Sequence, residues 1–99
     1  MVTTGLVLRL DTQAGTEDDV AAFLRDALPR VEAEPGTVAW FALRLGASSY
    51  AIVDVFADEA ARQAHLDGPV AAALMERANE LFAEPPIIEP AEVLAAKLP

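Results

Sequence analysis

The side chain in this sequence best suited to proton transfer is the single histidine, His65, within the stretch FADEAARQAHLDGP of residues 56–69. An imidazole has an unperturbed pKa of roughly 6.5, so it can take up a proton near neutral pH. His65 is expected at the end of a helix, where the helix dipole favours the imidazolium. The alternative is a structural histidine that fixes the helix terminus or bonds a backbone carbonyl. Asp54 is a second candidate base, provided that burial raises its pKa.

Other kinds of catalytic site find little support. The chain contains no cysteine, so it has no thiolate nucleophile, disulfide or zinc ribbon. Ser48 and Ser49 lie in a short turn with no histidine near them in sequence. His65 and Asp67 would supply only two metal ligands, and no glycine-rich phosphate loop is present. We therefore expect a site that uses neither a metal nor a cofactor.

Composition limits the partners. A chain of 99 residues with 54% hydrophobic residues has the size and apolar content of one folded domain, residues 1–99. Seven basic against sixteen acidic residues give a net charge of −9, which repels phosphate backbones and anionic lipid. The first apolar run is cut by Arg9 and is too short for a signal peptide or a membrane span. We expect a cytoplasmic protein that binds a small molecule and neither nucleic acid nor membrane.

Periodicity predicts the elements that position these side chains. Runs of β-branched, aromatic or alternating apolar residues predict four strands, at 6–11, 38–45, 50–56 and 92–98, although the last run suits a helix equally well. Helical spacing predicts a helix that begins at Thr16 and kinks or breaks before Pro29, a second from Asp58 to His65, and a third from Pro69. The order is β-α-β-β-α-β, an α+β domain of the ferredoxin-like type.

Alternation along the strands divides their side chains into two sets. The uncharged set is expected under the helices: Leu6, Leu8, Leu10, Ala39, Phe41, Leu43, Leu45, Ala51, Val53, Val55, Leu94, Ala96 and Leu98. The other set includes Trp40, Tyr50 and Phe56 but also carries the charged residues Arg9, Arg44, Asp54 and Lys97. Helices cover only one face of such a sheet, so this second face is expected to pair with another copy in a homodimer, with the charges in ion pairs. An open face with scattered charges is the alternative.

Two segments carry a resemblance to a known family. The pattern Glu34-Pro-Gly-Thr-Val38 precedes the second strand, and Asp54-Val-Phe-Ala-Asp-Glu-Ala-Ala-Arg-Gln-Ala-His65-Leu follows the third. Together they resemble the antibiotic biosynthesis monooxygenase-like family of dimeric α+β barrels. The resemblance implies a homodimer with facing sheets and a small-molecule pocket between the helices and the sheet. The best-understood members oxidise polycyclic phenols of the anthrone type with molecular oxygen and no metal or flavin, in a dry pocket that supplies a base and donors to the anion.

The chain also departs from the family's patterns. Phe56 stands where many members carry a tryptophan, and Leu8 and Met75 fall at or near the asparagine and histidine of the haem-degrading branch. Haem degradation is therefore disfavoured. His65 matches the Ala-His-Leu segment that is frequent in the wider family, but Val70 occupies the place of a second histidine.

These observations predict a cofactor-free monooxygenase that acts on a planar phenolic or polyketide-type molecule, with His65 as its base or as donor to the developing oxyanion. Five side chains are candidates for contact with the substrate: Phe41, Phe56, Met75, Trp40 and Tyr50. The structural alternative for these five is aromatic and core packing, at the subunit interface for Trp40 and Tyr50. The functional alternatives are a non-catalytic ligand-binding module on the same barrel and an isomerase or cyclase that uses the same pocket.

Overall fold

The computed structural model describes residues 2–99, which form a four-stranded antiparallel sheet with helices packed on one face. The strands are β1 (Thr4–Asp11), β2 (Thr37–Arg44), β3 (Ser49–Phe56) and β4 (Ile87–Glu92). The helices are α1 (Glu17–Glu32), α2 (Glu59–Leu66) and α3 (Pro69–Leu81). The strand order across the sheet is β2-β3-β1-β4, and α2 and α3 together make the second helical connection. The predicted α+β, ferredoxin-like fold is confirmed.

The helix starts and stops follow local chemistry, with two differences from prediction. The Asp58 carboxylate accepts a hydrogen bond from the Ala61 N–H at 2.8 Å and caps α2 as predicted. The Thr16 hydroxyl does not cap α1, because it donates instead to the carbonyls of Gln13 and Leu81 at 2.8 and 2.9 Å.

The predicted break before Pro29 is wrong, since α1 runs on to Glu32. Proline removes one backbone donor and usually interrupts a helix interior. Here Ala27 and Val31 are buried on either side of Pro29 and pack with Val70 of α3. That burial keeps the last turn of α1 in place.

The face assignment holds for β1 but is wrong for β2 and β3. Leu6, Leu8 and Leu10 lie under the helices as predicted. The β1–β3 register pairs them with Asp54, Ile52 and Tyr50, so these residues lie on the same face. The predicted members Ala51, Val53 and Val55 therefore point the other way. Because β3 is a central strand with buried residues on both of its faces, its apolar alternation does not reveal which face the helices cover.

The same register corrects the expected dimer face. Trp40 is the cross-strand partner of Asp54, and both side chains point toward the helices. Arg44 pairs with Tyr50, and its guanidinium carbon lies 5.3 Å from the centre of the Tyr50 ring. Of the four residues expected to mark the interface (Arg9, Trp40, Arg44 and Asp54), Arg9 alone lies on the sheet face opposite the helices.

The last strand lies earlier than predicted. β4 spans Ile87–Glu92, whereas residues 93–99 form neither helix nor strand, so the expected strand at 92–98 is wrong. Pro90 lies inside β4 and pairs with Leu6. The position is compatible with proline because β4 is an edge strand, where a missing N–H costs no ladder bond on the open side. Among residues 2–99, no helix combines the length and hydropathy needed to cross a membrane.

Candidate active site

Three elements bring three titratable side chains together beneath α2. His65 lies in the last turn of α2 and is 7% exposed. The Asp58 cap starts this helix shortly after β3, and His65 lies seven positions beyond Asp58, about two turns, which returns it to the sheet. β3 contributes Asp54, and the turn between α1 and β2 contributes Glu34.

His65 lies between the two carboxylates. Its Nδ1 is 2.6 Å from Glu34 Oε1, which also accepts a hydrogen bond from the Thr37 hydroxyl at 2.7 Å. Its Nε2 is 3.3 Å from Asp54 Oδ2, close enough for an ion pair but without the alignment of a hydrogen bond. An ionised Glu34 is an acceptor only, so it fixes the hydrogen on Nδ1 and leaves Nε2 facing Asp54. The ring also packs against Phe56, with 5.3 Å between the ring centres.

Asp54 is the most deeply buried of these groups, at 1% exposure. Neither of its carboxylate oxygens has a hydrogen-bond partner among residues 2–99. Burial raises the pKa of Asp54 from 3.8 to about 6, against the opposing effect of His65 and with a further upward contribution from the charge of Glu34. A carboxylate with this pKa changes its charge close to neutral pH, as an acid–base group must.

An apolar cavity adjoins Asp54 and His65. Its polar wall consists of these two side chains and the indole of Trp40, and its other walls are apolar residues from β1, β3, β4 and the three helices. The free volume is about 30 Å³, which holds one or two molecules of water size. Trp40 Nε1 is buried and has no hydrogen-bond partner within residues 2–99. A polycyclic ligand would enter only if the walls moved apart.

The predicted site residues separate into three groups. His65 and Trp40 line the cavity. Phe56 and Tyr50 are buried in the core beside it: Phe56 packs against the His65 ring, and the Tyr50 hydroxyl donates to the Glu17 carbonyl at 3.1 Å. Phe41 and Met75 do not line it, contrary to expectation.

Both exceptions have a simple geometric cause. Phe41 pairs with Val53 on the open face of the sheet and is 54% exposed. Met75 is 51% exposed on α3, where its neighbour Leu74 takes the inward position.

Glu34 is a site residue that the sequence pattern does not reveal. It lies 31 positions from His65 and meets it only because the α1–β2 turn packs against α2. Its place next to Pro35-Gly36 in a turn is the one local signal, and turns commonly carry acidic residues for other reasons. Within residues 2–99, no group of three His, Asp or Glu side chains has an arrangement that could hold a metal ion, since His65 lies between its carboxylates and the three do not converge on one point.

Sequence comparison assigns the family. Residues 3–77 match the model of the antibiotic biosynthesis monooxygenase family, and the chain belongs to this family. No curated protein matches the chain in sequence.

Solved structures share the fold of this chain. A protein of unknown function from Nitrosomonas europaea is 54% identical, with a TM-score of 0.97 over 100% of this chain and 96% of the other. A protein from Mycobacterium tuberculosis is 14% identical, with a TM-score of 0.83 over 94% of this chain and 96% of its own. A Caulobacter crescentus protein, provisionally assigned as an antibiotic biosynthesis monooxygenase, is 20% identical, with a TM-score of 0.81 over 95% and 92% of the two chains. The last two likenesses show the fold alone.

Proposed function

We propose that the protein is a cytoplasmic, cofactor-independent monooxygenase that acts on a planar phenolic or polyketide-type molecule, with His65 at the centre of its acid–base site. One observation carries the proposal: a buried histidine held between Glu34 and Asp54 at the wall of an apolar cavity, in a chain of this family. Raised pKa values of buried carboxylates cluster at catalytic sites, and the pKa of Asp54, raised to about 6 by burial, supports this interpretation.

The chemistry needs only a base and a dry pocket. The site removes a proton from the acidic carbon or hydroxyl of the substrate, and the resulting carbanion or phenolate passes electrons to molecular oxygen. One oxygen atom enters the substrate, which is oxidised at a CH₂ group to C=O, and the other leaves as water. Glu34 orients the His65 ring and stabilises its cation, as a carboxylate does for other catalytic histidines.

We further propose that the enzyme is a homodimer that pairs through the open face of the sheet. That face carries exposed apolar side chains from three strands, among them Val7, Phe41 and Ile87. A sheet with helices on one side only leaves such a face to solvent unless a second copy covers it.

The test is oxygen uptake with anthrone, compared among wild type, His65→Ala and buffer, because anthrones oxidise slowly unaided. Uptake above buffer that falls at least tenfold in His65→Ala is the expected result, since positioned acid–base groups contribute ~10²–10⁴. Gln63→Ala, an exposed change on the same helix, is the matched control and keeps wild-type activity. Wild-type uptake equal to that of buffer would contradict the proposal for this substrate class.

The small cavity favours a second candidate, a module that binds a small ligand without converting it. A ligand recovered unchanged after incubation with the protein supports this function.

An isomerase or cyclase would use the same base, and product formation under nitrogen separates that reaction from oxygenation.

A further inference from the structure

The cavity wall holds one hydrogen-bond acceptor and one donor that no side chain or backbone group of residues 2–99 satisfies. The acceptor is the Asp54 carboxylate and the donor is Trp40 Nε1–H, and the atoms concerned are fully buried. Buried polar atoms in folded proteins nearly always have a partner, so an unpaired donor and acceptor in one cavity wall point to a ligand that supplies both.

The sheet fixes the two groups side by side. Trp40 and Asp54 are direct partners across β2 and β3, and both side chains face the cavity. Directly opposite residues in antiparallel strands have Cβ atoms about 4.5–5.5 Å apart. A donor and an acceptor that face one cavity from neighbouring strands suit a compound that carries both a carbonyl oxygen and an acidic hydrogen.

His65 is less well placed than Asp54 to touch such a compound. Glu34 occupies its Nδ1, and its Nε2 faces Asp54 Oδ2. Asp54 Oδ1, which has neither a hydrogen bond nor an ion pair within residues 2–99, is the free acceptor in the cavity. His65 contacts Asp54 directly, and Glu34 holds His65 in place, so the two residues influence the charge and position of Asp54.

We propose that Asp54 is the catalytic residue that takes the substrate proton and that Trp40 Nε1–H stabilises the oxyanion formed, so the substrate is an enolisable ketone or a vinylogue of one. The inference rests on the proposed function and names its substrate class. An Asp54 oxygen forms an O–H bond as the substrate C–H bond breaks. The C–H electron pair becomes the C=C bond of an enolate, and the carbonyl π electrons move to the oxygen, which accepts the Trp40 hydrogen bond. Return of the proton to carbon restores the ketone, so this step needs no oxidant.

A groove on the outer surface adjoins the cavity. It lies between α1 and α3, has a volume of about 250 Å³, and shares Phe23, Ala27 and Val70 with the cavity. The carbonyl head would occupy the cavity while the body of the ligand lies in the groove, with the Phe23 side chain turned aside.

Hydrogen–deuterium exchange isolates this step. The probe is 2-indanone in D₂O under nitrogen, with loss of its α-proton NMR signal as the measurement. The exchange rate with wild type is expected to exceed that in buffer. The catalysed rate is expected to fall at least 100-fold in Asp54→Asn and at least tenfold in Trp40→Phe. Asp18→Asn, an exposed aspartate on α1, is the control and keeps the wild-type rate. Far-ultraviolet circular dichroism verifies that each variant is folded.

The outcomes separate the inference from the proposed function. Catalysed exchange that depends on Asp54 and Trp40, without oxygen uptake in air, supports the inference and rejects the oxygenase. Oxygen uptake that is lost in His65→Ala but kept in Asp54→Asn overturns the inference alone. Absence of wild-type exchange above buffer also overturns it. If Asp54→Asn does not fold, Trp40→Phe alone tests the inference. An unchanged exchange rate in Trp40→Phe would then overturn it.

Discussion

At the scale of single residues, the site places an ionisable carboxylate where a carboxylate is unfavourable. Asp54 is almost completely buried, and the charge of His65, whose Nε2 lies 3.3 Å from Oδ2, only partly offsets the loss of solvent around its carboxylate. Burial raises its pKa to about 6, so the folded protein holds this proton between about pH 4 and pH 6 while the unfolded chain releases it. Stability is therefore highest, as far as this group is concerned, below the unfolded pKa of 3.8, and it falls as the pH rises through about 6.

Replacing Asp54 with Asn tests this destabilising charge. The variant should gain stability relative to wild type as the pH rises from 4 to 7, by about 1–3 kcal/mol in the free energy of unfolding. Urea unfolding at pH 4, 5, 6 and 7 measures the difference, and Asp18→Asn, where the carboxylate is exposed, serves as control. A difference that is constant across this range would show that Asp54 titrates normally.

At the scale of elements, one close contact positions the site. Gly36, at the entrance to β2, packs so near to α2 that a methyl group at its Cα would overlap the Ala61 side chain. The Gly36 carbonyl also accepts a hydrogen bond from the Ala57 N–H at 3.1 Å. This turn carries Glu34 and this helix carries His65, so the approach of the two elements sets the Glu34–His65 distance.

Gly36→Ala is expected to push the turn away from α2 and lower the free energy of unfolding by about 1–3 kcal/mol, the usual cost of overpacking. Gly46→Ala is the matched control, because an added methyl at Gly46 meets no atom within 4 Å. The two variants are compared by thermal and urea unfolding. Equal stabilities would mean that the Gly36 contact relaxes without cost.

The elements also show what the sequence could predict and where it failed. The order of the first six helices and strands follows from periodicity and capping residues, as at Asp58, whereas β4 lies before the strand predicted at 92–98. The residues of β3 that face the helices cannot be predicted in this way, because charged residues such as Asp54 are normally exposed and the pattern therefore favours an outward position for Asp54. Asp54 nevertheless points toward the helices, and a conflict of this kind between local pattern and fold is expected at functional residues, as our proposal for Asp54 requires.

The site itself was only partly predictable for a related reason. His65 stands out as the sole histidine and lies at the cavity. Its contact with Glu34 joins α2 to the turn between α1 and β2, which lies far away in sequence, and no spacing rule connects the two residues. The β2–β3 register, which brings Trp40 opposite Asp54, is set by the length of the hairpin connection.

At the scale of the whole molecule, the two faces of the sheet carry different features. One face, with the helices, encloses the cavity and the acid–base cluster. The other presents a row of apolar side chains across three strands, in which Val7 pairs with Val53 and Val53 with Phe41. A homodimer built on this second face leaves each cavity on the outside of the barrel, so the oligomer and the chemistry can be tested separately.

Phe41→Glu provides that test. A two-fold interface would bury two such charges without partners, and each unpaired buried charge costs about 3–5 kcal/mol, enough to raise a dimer dissociation constant by a factor of 10² or more. Sedimentation at micromolar concentration should show a dimer for wild type and a monomer for Phe41→Glu, with unchanged circular dichroism. Met75→Glu, which alters an equally exposed apolar residue on α3, should remain a dimer. A wild-type monomer, or a dimer that survives Phe41→Glu, would place the subunit contact elsewhere or remove it.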